Sequence, residues 1–434
     1  MFVSLNVLTP SLILFVKKIL KELLSYPMIL FLEKRIDYIL GGNKGVATIV
    51  GLSTEGYGMS SMLVANGFET TIVDETLQIG MKLTPEIVSS CRTVNELIDE
   101  EPLIILEKMD DAINKAKYVF FTPKMRRADK DAKTEINTRL KEATKNFSKN
   151  STLINCVPMG FNENKGNVSM IERICGFRYG EDFEYVYVPL QPRTSFSPII
   201  GIENNPSKSL IEVLKQAGFK SFQTTTLDVA ELLYYKYLLD NHFSLASDLE
   251  ICKKFMSRDE RKKNRKLSKN NEVYIDTVTE FLFDFKFILG TLDTGDPSLY
   301  ISSGILKSFD SYVKYLVDEI RQVMRDLDLK ASKTKVTLAW SVDKYEMRGG
   351  RLSALDLVIE KLHDYIGDIS VLSGPDNRKT SKGFSGGISD MSKIDILVIC
   401  SEKDYNYASK LFKLDDKRSD MVVLKANLLV DHLV

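Results

Sequence analysis

The chain has 434 residues, too long for one ordinary domain and suited to two or three. Its 59 Lys and Arg balance 59 Asp and Glu, which removes any global attraction to nucleic acid, while 44% hydrophobic residues are enough for sizeable cores. Five scattered cysteines (Cys91, Cys156, Cys175, Cys252 and Cys400) form no CxxC pair, and the histidines His242, His363 and His432 stand far apart, so neither a disulfide framework nor a metal-ligand motif is indicated and a reducing cytoplasm fits.

The first sixteen residues, MFVSLNVLTPSLILFV, carry no charge, but Pro10 interrupts them and Lys17-Lys18 end them. That is short of the roughly 20 residues that cross a bilayer, so no stable membrane span is expected. The positive leader and small-residue cleavage site of a secretory signal are missing as well. From Ser11 the stretch SLILFVKKILKELLSYPMILFLEKRIDYIL predicts one or two apolar helices, docked on the body or at a subunit contact, with membrane-surface contact as the alternative. Residues 1–45 therefore read as an apolar helical extension.

Residues 46 to 75 read VATIVGLSTEGYGMSSMLVANGFETTIVDE. Val46 to Val50 suits a buried parallel strand, and Met59, Met62, Leu63 and Ala65 recur at helical spacing as far as Asn66-Gly67. A second strand from Glu69 to Val73 ends at Asp74. Strand, tight turn, helix, strand and acid is the order of a mononucleotide-binding βαβ half. The usual turn is G-x-G-x-x-G; this one offers Gly51, Ser53 and Gly56, with a hydroxyl where the second glycine would let a diphosphate approach. Asp74 lies 23 residues after Gly51, close to the roughly 20-residue offset of an acid that bonds a ribose hydroxyl, and an acid there favours NAD over NADP. Thr122, where the strand Tyr118 to Phe121 meets Pro123, completes the candidate cofactor set. A βαβ unit without a ligand, its glycines serving only the turn, is the alternative.

A short helix over Asp110 to Lys115 precedes that strand. The polar-faced helix ADKDAKTEINTRLKEATKNFSKN and the buried strand STLINCVPMG follow it, then the strand-like pieces FEYVYVPLQP and SPIIGIEN. Alternating strands and helices imply a parallel sheet covered on both faces, ending near residue 215. LDVAELLYYKYLLDNHFSLASDLEICKKF, residues 227 to 255, has no Pro or Gly and predicts a helix of about 40 Å at ~1.5 Å per residue. The basic run at 258 to 271 lacks interleaved aromatics and reads as a solvated turn. Helices over 273 to 289 and 304 to 328 complete a middle domain, residues 216–330. KTKVTLAW, DISVLSGPD and KIDILVICSEKD are three further strands, RLSALDLVIEKLHDYIG is an amphipathic helix between the first two, and VVLKANLLVDHL adds a last strand and helix. The fold class is thus α/β: two Rossmann-like domains with parallel sheets, residues 46–215 and 331–434, joined by a long central helix and a helical middle domain.

Three stretches, GLSTEGYGMSSMLVANGFETTIVDE, AELLYYKYLLDNHF and VTLAWSVDKYEMRGGRLSALDLVIEKL, give the chain from about residue 46 a resemblance to the UDP-glucose/GDP-mannose dehydrogenase family. The resemblance implies oxidation of a nucleotide-sugar alcohol to a carboxylate with two NAD molecules in succession. It also implies a cysteine that captures the aldehyde, a lysine and an asparagine one helical turn apart that stabilise an oxyanion, and a symmetric dimer. Carried onto this chain, the catalytic candidates are Lys236, Asn241 and Asp296, and the substrate-binding candidates are Gln191, Arg348 and Arg351.

Several positions depart from the family pattern. Asp240, not Asn241, lies four residues after Lys236, and positions five apart share a helix face less well. The loop GTLDTGDPSLY holds no cysteine, and Thr294 and Ser298 have no histidine nearby in sequence to activate them. Cys156 reads as a small buried hydrophobe. Gln191 stands where a glutamate would, and Trp340-Ser341 replaces a phenylalanine-lysine pair. The readings that remain are an NAD-dependent oxidoreductase acting on a UDP- or GDP-sugar, a non-catalytic descendant kept as a binding or assembly module, and a two-electron dehydrogenase for another small alcohol or hydroxy acid.

Overall fold

The computed structural model describes residues 44–99, 104–126, 128, 130–190, 199–255, 274–292, 295–374, 394–412 and 421–427. Nearly all of the apolar extension 1–45, the basic run 258–271, Gln191, Thr294 and the helix expected after the last strand lie outside the described residues.

The first unit runs β1 (Val46–Val50), α1 (Thr54–Ala65), β2 (Glu69–Asp74), β3 (Ile79–Leu83), α2 (Pro85–Ser90), α3 (Val94–Asp99), β4 (Ile105–Lys108), α4 (Met109–Lys115), β5 (Tyr118–Phe121), α5 (Lys130–Thr144), β6 (Ser151–Asn155), α6 (Glu163–Cys175), β7 (Phe183–Tyr187), β8 (Ile199–Gly201), α7 (Lys208–Gln216) and β9 (Gln223–Thr225). These strands form one nine-stranded sheet in the order β4-β3-β2-β1-β5-β6-β7-β8-β9. From β2 through β7 every pairing is parallel, with Val46 opposite Glu69 and Ala47 opposite Tyr118. The chain moves outward from β1 to β4 and then returns to β5 on the other side of β1. That reversal makes the carboxyl ends of β1 and β5 the switch point where a ligand crevice is expected. Val50 and Phe121, the last residues of the two strands, are fully buried there.

The sheet departs from the expected all-parallel form at its edges. Strands β3 and β4 pair antiparallel, and β8 lies antiparallel to β7. Their sequences, IGMKL and ILEK, are too short and mixed to show a period. Strand β9 is hydrogen-bonded to β8, which carries the first sheet past the edge expected near residue 215.

Helix α8 (Leu227–Phe255) links the two units. Its inward face buries Tyr234, Leu238, Ala246 and Leu249 against α9 (Ile275–Leu289) and α10 (Pro297–Asp326), in one core with the second sheet. Each such large side chain contributes roughly 1.5–3 kcal/mol of burial. After α10 come β10 (Lys335–Ala339), α11 (Gly350–His363), β11 (Asp368–Leu372), β12 (Ile396–Ile399), α12 (Glu402–Phe412) and β13 (Val422–Lys425). The second sheet is wholly parallel, in the order β11-β10-β12-β13.

The segment between β10 and α11 docks on the first unit through main-chain bonds. Met125 N–H donates to Met347 O at 2.6 Å, and Gly349 N–H donates to Met125 O at 2.7 Å. This places residues 343–349 over the switch point.

Candidate functional site

Gly51 leaves β1 with φ +124°, and a Cβ there would stand 2.1 Å from Thr122 O, so only glycine fits beside the end of β5. Ser53 is the N-cap of α1. Its hydroxyl accepts from Gly56 N–H at 3.1 Å and donates to Thr122 O at 3.0 Å. A Cβ on Gly56 would lie 2.7 Å from Thr122 Oγ1 and 2.8 Å from Gly51 O. The serine in place of the second glycine thus ties the helix start to β5, and Gly51 and Gly56 give the space this tie requires.

Six of the seven N–H groups from Gly51 to Tyr57 are used by the protein. Gly51 N–H donates to Val73 O, Leu52 N–H to Glu75 Oε2, Ser53 N–H to Gly51 O, and Thr54 N–H to Tyr345 O. The Glu55 carboxylate accepts from Met347 N–H at 2.8 Å, and Gly56 N–H donates to the Ser53 hydroxyl. Tyr57 N–H donates to Ser53 O. Thr54 Oγ1 donates to Asp343 at 2.6 Å. Three carboxylates, Glu55, Glu75 and Asp343, therefore surround the start of α1, where the helix dipole would otherwise favour a diphosphate. Burial raises the pKa of Glu55, against the lowering effects of Arg348 and the Met347 N–H. Arg139 pairs with Glu75 at 2.9 Å and is already engaged. As arranged, these residues fit the diphosphate of NAD poorly: six of the seven N–H groups from Gly51 to Tyr57 are bonded within the protein, and three carboxylates stand beside them. Asp74 accepts from Thr76 and Leu77 N–H at 2.9 and 3.2 Å and closes the turn after β2. Thr122 Oγ1 is buried with no hydrogen-bond partner among the described residues.

Deeper in the cleft between the two sheets, Arg348 Nε meets Asp284 Oδ1 at 2.6 Å, with both side chains buried. The same guanidinium donates to Leu190 O. The Tyr234 hydroxyl lies 2.5 Å from Asp284 Oδ2 and 3.2 Å from Leu190 O. Burial opposes the Arg348 charge, but Asp284, helped by Tyr234 and Glu55, more than offsets it and holds its pKa above the usual value. Cys156 is fully buried, and burial pushes its thiol far up despite Arg348, so it supplies no thiolate nucleophile. Arg351 pairs with Glu346 at 2.8 Å and with Asp276 at 3.3 Å, and Asp276 also accepts from the buried Trp340 Nε1 at 2.7 Å. Burial raises Glu346 to about 8, with Arg351 opposing.

The remaining candidates stand elsewhere. Lys236 is exposed and pairs with Asp240 along the outer face of α8 at 2.5 Å, and the exposed Asn241 donates to Tyr237 O at 2.7 Å. Asp296 caps α10, accepting from Ser298 N–H at 2.8 Å. None of the three lies with Arg348. The α8 residues that do face the cleft are Glu231 and Tyr234. Glu231 accepts from Asn162 and Asn164 N–H at 2.7 and 2.9 Å and so holds the start of α6. Sequence reasoning missed Tyr234, Asp284 and Glu55. The i, i+4, i+8 spacing of Tyr234, Leu238 and His242 was the available signal for the inner face of α8.

No family model and no curated protein sequence matches the chain. Solved structures do. UDP-D-ManNAc dehydrogenase from Pyrococcus horikoshii is 13% identical over 82% of this chain and 88% of its own, with a TM-score of 0.55. UDP-glucose dehydrogenase from Pyrobaculum islandicum is 12% identical over 90% and 96%, at 0.57. The UDP-N-acetyl-mannosamine dehydrogenase of Staphylococcus aureus is 17% identical over 82% and 88%, at 0.53. Two α/β units, a central helix and a helical middle layer give this chain the fold of the nucleotide-sugar dehydrogenases.

Proposed function

We propose that this chain is a non-catalytic relative of the nucleotide-sugar dehydrogenases that serves as a binding or assembly module. The observation that carries the reading is the turn after β1, where six of the seven N–H groups from Gly51 to Tyr57 are bonded within the protein and the Glu55 carboxylate sits at the helix start, held by Met347 N–H. The closed Arg348–Asp284–Tyr234 group supports it, because these charges are matched within the protein and none of the three is left to face a developing oxyanion. The outer face of α8 suits an assembly role: Val229, Leu232, Phe243 and Ile251 are exposed there beside Lys236 and Asp240. Two copies related by a twofold axis along this face would set Lys236 of one against Asp240 of the other. No helix among the described residues is long and apolar enough to cross a membrane, and Cys91, Cys156, Cys175 and Cys400 are free thiols, which suits the cytoplasm.

The test is calorimetric titration of the full chain with NAD, alone and with UDP- and GDP-sugars, while absorbance of reduced cofactor is followed. No NAD binding at millimolar concentration is expected. Binding by the wild-type chain, followed by hydride transfer from any of the sugars, would overturn the proposal.

A second reading, an NAD-dependent two-electron oxidation of a sugar-nucleotide alcohol, is favoured by the unpartnered Thr122 Oγ1 at the switch point. It requires residues 343–347 to leave α1. Glu55→Gln removes the charge at the helix start: NAD binding already present in the wild-type chain and unchanged in the variant would support the second reading, whereas binding gained only in the variant would support the first.

A further inference from the structure

A cavity of about 440 Å³ lies between α9, α10 and α11, and none of the residues Gly51 to Tyr57 lines it. Ile275, Val278, Leu282, Phe309, Val313 and Leu357 give it a mainly aliphatic and aromatic wall, to which each of the three helices contributes. The volume is nearly three times the ~150 Å³ that admits one benzene ring, and it falls within the range of small-molecule sites. The polar groups of the wall are already engaged or closed off. Lys286 and Asp310 pair at 3.4 Å with both side chains exposed, so they mark the open side, and Ser353 is exposed as well. Thr279 Oγ1 donates to Asp276 O at 3.1 Å. Arg126 gives Nη2 to Lys344 O and lies among Glu346, Asp343 and Glu55, while its Nη1 is fully buried and so closed to a ligand. The Tyr312 hydroxyl is buried in the same way and offers no bond either.

Water inside a protein is held by about two to four polar partners, and the inner wall does not supply them. An ionised ligand would lose its hydration with no partner in return, whereas an apolar one gains by leaving water. We propose that this cavity binds a neutral, largely hydrocarbon molecule of two or three rings, which enters past Lys286 and Asp310. The proposal is independent of whether the switch point takes a ligand.

The test uses the full chain and fluorescence titration with N-phenyl-1-naphthylamine, which is neutral and has three rings, against 1-anilinonaphthalene-8-sulfonate, which adds a charge to the same frame. Trp340, the chain's one tryptophan, bonds Asp276 beside Ile275 of the wall, so a probe seated here lies close enough to take up its emission. One neutral probe per chain is expected, with Trp340 quenched as the probe brightens. The sulfonate should bind at least about tenfold more weakly, because no free donor meets it. Ala354→Phe or, separately, Val313→Phe should weaken the neutral probe at least about fivefold by filling the cavity. Circular dichroism melts select the variants that remain folded. Absence of neutral-probe binding, binding that leaves Trp340 unquenched, equal or tighter binding of the sulfonate, or indifference to both filling variants would each overturn the assignment.

Discussion

Replacing Arg348 by methionine tests how the cleft is held together. The variant leaves Asp284 fully buried beside a thioether, with Tyr234 as its remaining close donor. Removing one partner of a buried pair costs about 3–5 kcal/mol, since the other charge stays desolvated and unmatched. Asp284→Leu should cost a similar amount by stranding the guanidinium. The double variant differs: both charges are gone, and the Tyr234 hydroxyl, already 3.2 Å from Leu190 O, can donate there. It should therefore lie within about 1–2 kcal/mol of the wild-type protein, because replacing a whole buried pair by apolar groups is often nearly neutral. Urea unfolding, followed by far-ultraviolet circular dichroism and tryptophan fluorescence, gives the three differences, with constant m as the check on comparability. A single-variant loss below about 1 kcal/mol, or a double variant worse than either single one, would refute the claim that the pair is strongly coupled.

His242 stacks on Phe285 at 5.6 Å, and burial lowers its pKa to about 4. Its neutral form contributes stability above pH 6.5 that is lost as pH falls toward 4, so at pH 5 about 2 kcal/mol should be missing; His242→Phe should remove that loss in urea midpoints compared at pH 7 and 5. Gly56→Ala should destabilise by about 1–3 kcal/mol in the same assay, since the new methyl meets Thr122 Oγ1 and Gly51 O below 3 Å. Lys236→Ala removes only an exposed pair within one helix; its effect on stability should stay within about 0.5 kcal/mol, and a larger change would show that the outer face of α8 is covered in solution.

Periodicity carried most of the fold. VATIV and YVFF are apolar because both faces of their sheet are covered, and a 29-residue stretch without Pro or Gly has little choice but helix. The antiparallel β3 and β4 were not legible because IGMKL is short and mixed and ILEK lies exposed at the sheet's edge, where burial imposes no pattern. The candidate site was less legible than the fold. Gly51, Ser53 and Gly56 stand together at the switch point, but their neighbours Thr54 and Glu55 are bonded to Tyr345 and Met347, nearly 300 residues later, through main-chain atoms that leave no mark on side-chain identity. Lys236 drew attention as the lysine of a helical motif, whereas the face of α8 that turns inward carries Tyr234 two residues earlier.

The segment before α11 grips the first unit through Tyr345 O, Met347 N and O, and Gly349 N. Because those handles are peptide groups, the hydrogen bonds of the grip do not depend on which side chain stands at 345 or 347, while the fully buried Met347 side chain adds its packing to them. Mechanically, the segment before α11 is riveted to the start of α1 and to the residues after β5, so hinge opening would have to break the rivets together. A chain built this way should melt as one cooperative block, with the Thr54 and Met347 amides among the slowest to exchange with solvent deuterium.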